Sequence, residues 1–286
     1  MNAASPAAPA TAVVVGGGTM GAGIAHVLLA AGSRVTLAEA SPERADAARE
    51  AVAASLTKAA ERGKLDGSPE ELLAHLSTVS AIADLPPGTE LVVEAVPENR
   101  ELKRRVLTDV AAVCPQAVLA SNTSSLSISG LAEGIAPERT LGMHFFNPVP
   151  VQELVELVVH DAVDTEVVAR ARSWAEALGK TVIEVRDSPG FATSRLGVAV
   201  GLEAIRMLEE GVASAEDIDT GMRLGYRWPM GPLRLTDLVG LDVRLAIAEH
   251  LARELGPRFE PPQLLRDKVA RGELGRKTGR GFFDWN

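Results

Sequence analysis

Residues 11–31 read T-A-V-V-V-G-G-G-T-M-G-A-G-I-A-H-V-L-L-A-A, and this stretch decides the fold of the chain. The small and β-branched residues 11–15 predict a buried strand, and the apolar pattern after Gly21 predicts a helix. Between them stands Gly16-x-Gly18-x-x-Gly21. Gly16 permits a tight turn, Gly18 lets the backbone approach a pyrophosphate, and Gly21 lets the helix lie close to the strand. This order of strand, turn and helix predicts a dinucleotide site.

A glycine-rich hinge is the alternative interpretation of such a motif, so the residues that follow must decide. Residues 34–39 predict a second strand that ends at Glu39, 18 residues after Gly21. That spacing matches the carboxylate that binds an adenosine ribose in dinucleotide domains. The sequence therefore favours a cofactor site, with Thr19 and Met20 at the helix N-terminus beside the phosphates. Because a carboxylate repels a 2′-phosphate, the cofactor is predicted to be NAD.

Composition narrows the classes of protein and partner. Of the 286 residues, 46% are apolar and 3% aromatic, which suits a buried parallel sheet covered by Ala-rich helices. The net charge of −9, without any basic run, argues against nucleic acid and anionic membranes as partners. Cys114 is the single cysteine, which excludes an intrachain disulfide and a multi-cysteine zinc site, and no metal is predicted. Neither a signal sequence nor an apolar run of roughly 18 residues is visible, so a cytoplasmic protein is expected.

The pattern along the chain predicts an α/β fold of two domains. Residues 1–10, rich in Ala and Pro, predict a disordered leader. Strands and helices alternate over 11–187, which predicts a Rossmann-type NAD-binding domain. Only helices are predicted over 188–286, an all-α domain for substrate binding and dimerisation. Its first helix, 191–210, is apolar around much of its circumference, which predicts contact with a partner subunit. Further predicted elements are strands 78–81, 91–96, 117–120, 140–146, 152–159 and 181–185, and helices 42–62, 98–113 and 164–178.

Two apolar strands carry a candidate acid–base pair. A nicotinamide enzyme that oxidises an alcohol needs a base for the hydroxyl proton. His144 ends one apolar strand, and Glu156 lies in the middle of the next, where a carboxylate is costly to bury unless it is paired. His144 is its most economical partner, and Glu156 would then set the tautomer of the imidazole. A purely structural role of a histidine at a strand end is the alternative.

Two further groups of polar residues have weaker support. Ser124 lies in the loop S-N-T-S-S after a predicted strand, at the sheet edge where ligands bind in open α/β folds. A serine-rich loop is also ordinary turn chemistry, so the loop alone leaves the role of Ser124 open. Lys58 and Arg62 end the predicted helix 42–62, and composition alone favours a solvated helix end there.

Seven motifs in order give the chain a resemblance that covers nearly all of it beyond residue 11. The chain resembles the 3-hydroxyacyl-CoA dehydrogenase family, of the short bacterial 3-hydroxybutyryl-CoA type. The motifs are the Gly16 to Ala25 fingerprint, E-A-V-P-E-N (94–99), S-N-T-S-S-L (121–126), H-F-F-N-P-V-P (144–150), D-S-P-G-F (187–191), Y-R-W-P-M-G-P (226–232) and G-R-K-T-G-R-G-F (275–282).

The resemblance implies the NAD-dependent interconversion of (S)-3-hydroxyacyl-CoA and 3-oxoacyl-CoA, in fatty acid metabolism, by a homodimer joined through the helical domain. It implies that His144 is the general base and that Glu156 orients it and stabilises its charged form. Ser124 would bind the substrate oxygen or the nicotinamide region. Matching positions imply further contacts: Glu39, Glu98, Lys103 and Asn147 with the cofactor, and Ser55, Lys58 and Arg62 with the CoA phosphates.

One position departs from the family pattern. Relatives usually have Asn before the Arg in P-G-F-x-x-N-R, and this chain has Ser194-Arg195. The departure lies at the substrate end of the site and leaves the cofactor end unchanged. Two alternatives remain open: a dehydrogenase of a free hydroxy acid or a carnitine-like alcohol, which has no use for a CoA-phosphate site, and a protein that binds NAD without turnover. The His144–Glu156 pair argues against the second.

Overall fold

A computed structural model describes residues 7–285, which form two compact units divided between Asp187 and Ser188. Of the leader predicted at 1–10, residues 1–6 lie outside the described residues. Ala10 is bound to the first unit, since its N–H donates a hydrogen bond of 2.8 Å to Glu90 Oε2. Within residues 7–285, no helix is long and apolar enough to cross a membrane.

The first unit is built on one eight-stranded sheet. Its strands are β1 (Thr11–Val15), β2 (Arg34–Ala38), β3 (Leu76–Val79), β4 (Leu91–Glu94), β5 (Val118–Ser121), β6 (Thr140–Phe145), β7 (Leu154–Val159) and β8 (Thr181–Arg186). Their order is β3-β2-β1-β4-β5-β6-β7-β8, and neighbours are parallel except that β7 is antiparallel to β6. The order of the first six strands is that of a doubly wound dinucleotide domain, so the predicted Rossmann-type fold is confirmed.

Helices cover both faces of this sheet. They are α1 (Thr19–Ala30), α2 (Pro42–Ala60), α3 (Pro69–Leu73), α4 (Arg100–Val113), α5 (Ile128–Ala132) and α6 (Thr165–Ala177). Side chains alternate across a strand, so Val14 joins the core under α1 and α2, and Val13 joins the core under α4. Burial on both faces explains why the strands read as continuous apolar runs.

Element boundaries differ from the prediction mainly at short elements. The strand predicted at 78–81 lies at Leu76–Val79, where pairing of Leu76 with Val35 sets its register. The helices α3 and α5 were not predicted, because five residues are too few to show a helical period. Both begin at a serine cap, Ser68 and Ser127, which accepts a hydrogen bond from a backbone N–H of the first turn.

The second unit is helical, which confirms the predicted all-α domain. Its helices are α7 (Thr193–Glu209), α8 (Ala215–Gly225), α9 (Pro232–Val239), α10 (Leu241–Leu255) and α11 (Gln263–Ala270). Helix α8 is capped by Ser214, whose Oγ accepts a hydrogen bond from the N–H of Asp217 and also donates one to the Asp217 carboxylate. That carboxylate therefore bonds the side chain of Ser214 and not its backbone.

A buried carboxylate organises the end of this unit. Asp237, on α9, is almost completely buried. Its two oxygens accept hydrogen bonds of 2.8–2.9 Å from the backbone N–H groups of Phe282 and Phe283 and from the indole of Trp285. Since Phe283 belongs to the apolar core of the unit, Asp237 fastens the last described turn of the chain to that core.

Candidate active site

The glycine turn after β1 has the geometry that a dinucleotide site requires. Gly16 has φ +98°, and a Cβ there would lie 2.8 Å from the carbonyl oxygen of Ala95. A Cβ on Gly21 would overlap the carbonyl oxygen of Gly16, so only glycine lets α1 approach the turn this closely. At Gly18, by contrast, no atom of residues 7–285 apart from its own chain neighbours lies within 4 Å of the position that a Cβ would take. The backbone at Gly18 is therefore open to a ligand.

The N-terminus of α1 is uncapped by any side chain. Its N-cap residue is Gly18, and its first turn carries no acidic residue. Within residues 7–285, no side chain caps the N–H groups of this first turn, and the helix dipole favours an anion at this end. This donor set fits the pyrophosphate of NAD.

Glu39 lies directly after β2, beside the same turn. Its Oε1 accepts a hydrogen bond of 2.6 Å from the N–H of Gly17, and its Oε2 accepts one of 2.8 Å from Arg44 Nε. Burial raises the pKa of Glu39, but the hydrogen bonds from Arg44, Gly17 and Ala40 outweigh it, and the net pKa is below its ordinary value. Glu39 is thus a carboxylate fixed at the edge where an adenosine ribose would bind.

Arg44 is a partner that the sequence analysis missed. It occupies the third position of α2, after the cap Ser41 and Pro42. The sequence did contain an indication of this contact. A helix that starts at Ser41-Pro42 brings its first turn back over the end of the preceding strand. Arg44 is largely exposed and Glu39 is not, so the arginine covers the carboxylate from the solvent side.

Behind the sheet edge lies a buried charge network. Lys103 is 0% exposed, and its Nζ donates to Glu94 Oε1 at 2.8 Å and to the carbonyl of Val96 at 3.1 Å. The other oxygen of Glu94 accepts a hydrogen bond of 2.6 Å from Ser121 Oγ, at the end of the neighbouring strand β5. The structure thus places Lys103 in the interior, and its predicted direct contact with the cofactor stays a prediction. Glu94, which ends β4, is a member of this network that the sequence analysis missed.

Glu98 connects this network to the serine loop. Its Oε2 lies 3.4 Å from Lys103 Nζ. Its Oε1 accepts hydrogen bonds from Thr123 Oγ1 at 2.5 Å and from the backbone N–H of Ser124 at 3.2 Å. Glu98 therefore holds the loop that carries Ser124 at the carboxyl ends of β4 and β5. This edge lies next to the point where the strand order reverses, which is where ligands bind in such sheets.

His144 and Glu156 meet across two antiparallel strands. They are directly opposite each other in the register of β6 and β7. Glu156 Oε2 accepts a hydrogen bond of 2.6 Å from His144 Nδ1, and the two residues are 0% and 6% exposed. The contact inferred from the sequence is thus present in the structure. With Nδ1 donating to the carboxylate, proton exchange with a ligand would occur at Nε2.

The loop after β6 is held from below by a buried lysine. Lys180 Nζ donates hydrogen bonds of 2.7 and 2.8 Å to the carbonyls of Val149 and Gln152. Asn147, predicted to contact the cofactor, is exposed on this loop, and its contact stays a prediction. Nothing in the local sequence pattern indicated Lys180, because it lies 31 residues beyond Val149 and on a different element.

The residues predicted to bind the CoA phosphates lie at the C-terminal end of α2 and just beyond it. Ser55 and Lys58 are one turn apart in the helix, whereas the helix ends at Ala60, two residues earlier than predicted, and Arg62 lies in the turn that follows. Lys58 and Arg62 are exposed, whereas Ser55 is half-buried and its Oγ forms a hydrogen bond of 2.8 Å with His26 Nδ1. Burial, and secondarily Lys180, lowers the pKa of His26 to about 4, so this imidazole is neutral. Of the three, Lys58 and Arg62 present free charge at the surface.

Ser194 lies in the second unit. It stands in the first turn of α7 and is half-buried. All other predicted site residues belong to the first unit. Among the described residues, no group of three or more His, Cys, Asp or Glu side chains could hold a metal ion.

Comparison with known proteins matches both units. The family described as 3-hydroxyacyl-CoA dehydrogenase, NAD binding domain, matches residues 11–188, and 3-hydroxyacyl-CoA dehydrogenase, C-terminal domain, matches residues 190–285. The 3-hydroxybutyryl-CoA dehydrogenase of Mycobacterium tuberculosis is 42% identical over 278 residues, which cover 95% of this chain and 97% of that protein. The probable 3-hydroxybutyryl-CoA dehydrogenase of Bacillus subtilis is 40% identical over 276 residues, 96% of each chain. The crystal structure of (S)-3-hydroxybutyryl-CoA dehydrogenase PaaH1 from Ralstonia eutropha has a TM-score of 0.92 at 39% identity, covering 98% of this chain and 100% of that one.

Proposed function

This chain belongs to the 3-hydroxyacyl-CoA dehydrogenase family, and we propose that His144 and Glu156 carry out the acid–base step of its reaction. The chain is an NAD-dependent dehydrogenase that interconverts 3-hydroxyacyl-CoA and 3-oxoacyl-CoA. The names of its relatives support (S)-3-hydroxybutyryl-CoA as the substrate. The observation that carries the proposal is the buried 2.6 Å contact between His144 Nδ1 and Glu156 Oε2, because a carboxylate with 0% exposure needs a partner of this kind.

In the direction of oxidation, His144 Nε2 takes the proton of the 3-hydroxyl group. Glu156 holds the ring in one tautomer and stabilises the positive charge that the ring acquires. Ser124 donates a hydrogen bond to the substrate oxygen, and Glu98 holds the Ser124 loop in place. NAD, held at the glycine turn, would supply the hydride acceptor for this oxidation.

The residues proposed to bind NAD lie mainly on four loops of the first unit, those that follow β1, β2, β4 and β6. Gly16, Gly18 and Gly21 shape the turn, and the N–H groups of Thr19 and Met20 bind the pyrophosphate. Glu39 accepts hydrogen bonds from the adenosine ribose. Asn147 and Glu98 contact the nicotinamide half, and Lys103 acts on it through Glu98.

The proposed function is tested by following the loss of NADH with three substrates side by side. These are acetoacetyl-CoA, longer 3-oxoacyl-CoAs and free 3-oxo acids. Acetoacetyl-CoA should have the highest kcat/KM. A higher value for a free acid would favour the alternative of a hydroxy-acid dehydrogenase, and NADH binding without turnover of any of them would favour a binding protein.

Glu39 should set the preference for NADH over NADPH. We expect kcat/KM for NADH to exceed that for NADPH by well over tenfold, because the carboxylate repels a 2′-phosphate. Glu39→Gln should narrow this ratio by removing the charge. Glu43→Gln, an exposed acid one turn away, is the matched control and should leave the ratio unchanged. A wild-type ratio near one would contradict the role of Glu39.

Arg62 should bind a phosphate of CoA. Arg62→Ala should raise KM for acetoacetyl-CoA by a few-fold, since an exposed ion pair contributes about 0.2–1 kcal/mol. The increase should be larger at low salt than at high salt. Turnover of a truncated thioester without phosphates should not change, and Arg105→Ala, at another exposed arginine, should have no effect. An equal loss with both thioesters would assign Arg62 to the fold.

A homodimer formed through the second unit is also proposed. Val151 apart, the exposed large apolar side chains of the described chain all belong to that unit: Leu196, Val212, Leu224, Tyr226, Leu235, Val239 and Val243. Such a concentration is typical of a surface that a partner covers. The cytoplasmic location stays a prediction.

A further inference from the structure

The Ser124 loop leads directly into α5, a helix that is held by a distant carboxylate. Asp187 follows β8, is the last residue of the first unit and opens the D-S-P-G-F motif, which the function proposed above does not use. Its Oδ2 accepts hydrogen bonds of 2.8–2.9 Å from the hydroxyls of Ser127 and Ser129 and from the N–H of Ser129. Its Oδ1 accepts one of 3.1 Å from the N–H of Ile128. Four donors of the cap and first turn of α5 therefore converge on a residue that lies 58–60 positions further along the chain.

The other end of α5 is held by a cation. Arg104, on α4, donates from Nη1 to the carbonyls of Gly130 and Leu131 at 2.5 and 3.2 Å, and from Nη2 to the carbonyl of Glu133 at 2.8 Å. A carboxylate at the N-terminus and a guanidinium at the C-terminus both suit the helix dipole. A helix of five residues is too short to be stable alone, so α5 depends on such partners and on its packing.

Packing already holds the body of α5 in place. Ile128, Leu131 and Ala132 are fully buried, and a half-buried carboxylate adds little to the stability of such a helix. Hydrogen bonds to a charged group are short and directional, however. Asp187 therefore acts mainly on the direction of the cap and first turn, which is the part of α5 that adjoins the Ser124 loop.

This direction passes to Ser124 through a compact turn. Thr123 Oγ1 accepts hydrogen bonds of 3.3 and 3.0 Å from the backbone N–H groups two and three residues ahead, and the next residue is the cap Ser127. Glu98 holds the start of this turn and Asp187 holds its end, with Ser124 between them. A shift of the cap therefore moves the Ser124 hydroxyl.

We propose that Asp187 is a positioning residue of the reaction: by fixing the first turn of α5, it holds the Ser124 hydroxyl where that group donates to the substrate oxygen. This rests on the proposed function, because Ser124 is the donor to that oxygen there. The effect of Asp187 is also bounded. Since it acts through Ser124, its loss slows the reaction by no more than the loss of the Ser124 hydroxyl itself.

The test measures kcat for the reduction of acetoacetyl-CoA. The substrate oxygen gains negative charge in this reaction, so the hydrogen bond from Ser124 strengthens in the transition state and its loss lowers kcat. Ser124→Ala should lower kcat by about 10- to 100-fold, the usual effect of losing a hydrogen bond to a charged group. Asp187→Ala should lower kcat by about fivefold or more, but by less than Ser124→Ala, and should leave the Kd for NADH nearly unchanged.

The double variant separates positioning from a purely structural role. In the Ser124→Ala background, Asp187→Ala should lower kcat further by no more than about twofold, because the hydroxyl that Asp187 positions is absent. A residue that only stabilises the fold would lower kcat by the same factor in both backgrounds. Asp187→Asn retains one acceptor oxygen, so its loss of kcat should be smaller, and it takes the place of Asp187→Ala in this cycle if Asp187→Ala does not fold.

Two matched variants serve as controls. Arg104→Met loosens α5 at its far end, so it should lower Tm at least as much as Asp187→Ala does and leave kcat within about twofold of the wild type. Asp161→Ala removes an exposed carboxylate that pairs with Arg186 at the end of β8, and it should leave kcat unchanged.

A wild-type kcat in Asp187→Ala or in Ser124→Ala would overturn the proposal. So would an equal factor in both backgrounds, or a loss in Arg104→Met equal to that in Asp187→Ala. Each of these results leaves the dehydrogenase function intact, because the wild-type protein still reduces acetoacetyl-CoA. If the wild-type protein does not reduce it, the proposed function itself fails, so the two failures are distinguishable.

Discussion

Replacing His144 with alanine should lower kcat by roughly 10²–10⁴-fold, the usual contribution of a general base, and should leave the affinity for NADH nearly unchanged. The structure supports this split, because His144 lies in β6 and the glycine turn proposed to bind the cofactor follows β1. Steady-state kinetics with acetoacetyl-CoA measure kcat, and fluorescence titration measures NADH binding. His75→Ala, at an exposed histidine, is the matched control and should retain full activity.

Glu156, the partner of His144, provides a sharper test of the same pair. Glu156→Gln keeps the shape of the side chain but removes the charge that orients and stabilises the ring. It should therefore lower kcat somewhat less than His144→Ala does. The double variant should be only slightly worse than His144→Ala, because two residues that act as one unit have non-additive effects. Additive losses would show that the 2.6 Å contact has no role in catalysis.

Gly21→Ala should reduce both the stability of the protein and its affinity for NADH. The added Cβ would overlap the carbonyl oxygen of Gly16, and a backbone atom cannot move aside as the end of a side chain can. Overpacking of this kind costs about 1–3 kcal/mol, and it displaces the turn whose N–H groups bind phosphate. Thermal unfolding should show a lower Tm, and NADH titration should show a Kd raised by about tenfold or more.

Gly18→Ala separates the two effects. Apart from its own chain neighbours, no atom of the described chain lies within 4 Å of its Cβ position, so Tm should hardly change. The methyl group should enter the space proposed for the pyrophosphate and weaken NADH binding. Gly221→Ala, in the middle of α8 and also without close neighbours, should affect neither measurement adversely. If Gly21→Ala and Gly18→Ala behave alike, the close contact between Gly21 and Gly16 does not limit stability.

Local patterns predicted the features that are governed by neighbours in sequence. The glycine turn, Glu39 at the end of β2, and the division near Ser188 could all be inferred from spacing and periodicity. The contact of His144 with Glu156 could also be inferred, because the two stand on consecutive strands and each needs a polar partner. Each of these inferences used only one strand or helix and the element that follows it in the sequence.

Features that depend on distant contacts could not be predicted in this way. The clamp of Lys180 on the loop after β6 and the burial of Lys103 against Glu94 arise only when separate elements pack together. In an amphipathic sequence pattern, an isolated lysine is predicted to be exposed to solvent. Arg244 is the same case: its helix predicts a charged outer face, and only the packing of α10 against Gly197 shows that the guanidinium is inside.

The contacts of Asp237 also bear on how the two units emerge during synthesis. The sheet of the first unit is complete once Arg186 has been added, so that unit can fold while the rest of the chain is still being translated. The second unit has to wait, because Asp237 receives its donors from Phe282, Phe283 and Trp285. Until those residues leave the ribosome, the carboxylate of Asp237 lacks these three hydrogen-bond donors. We therefore expect the second unit to complete its fold after the first.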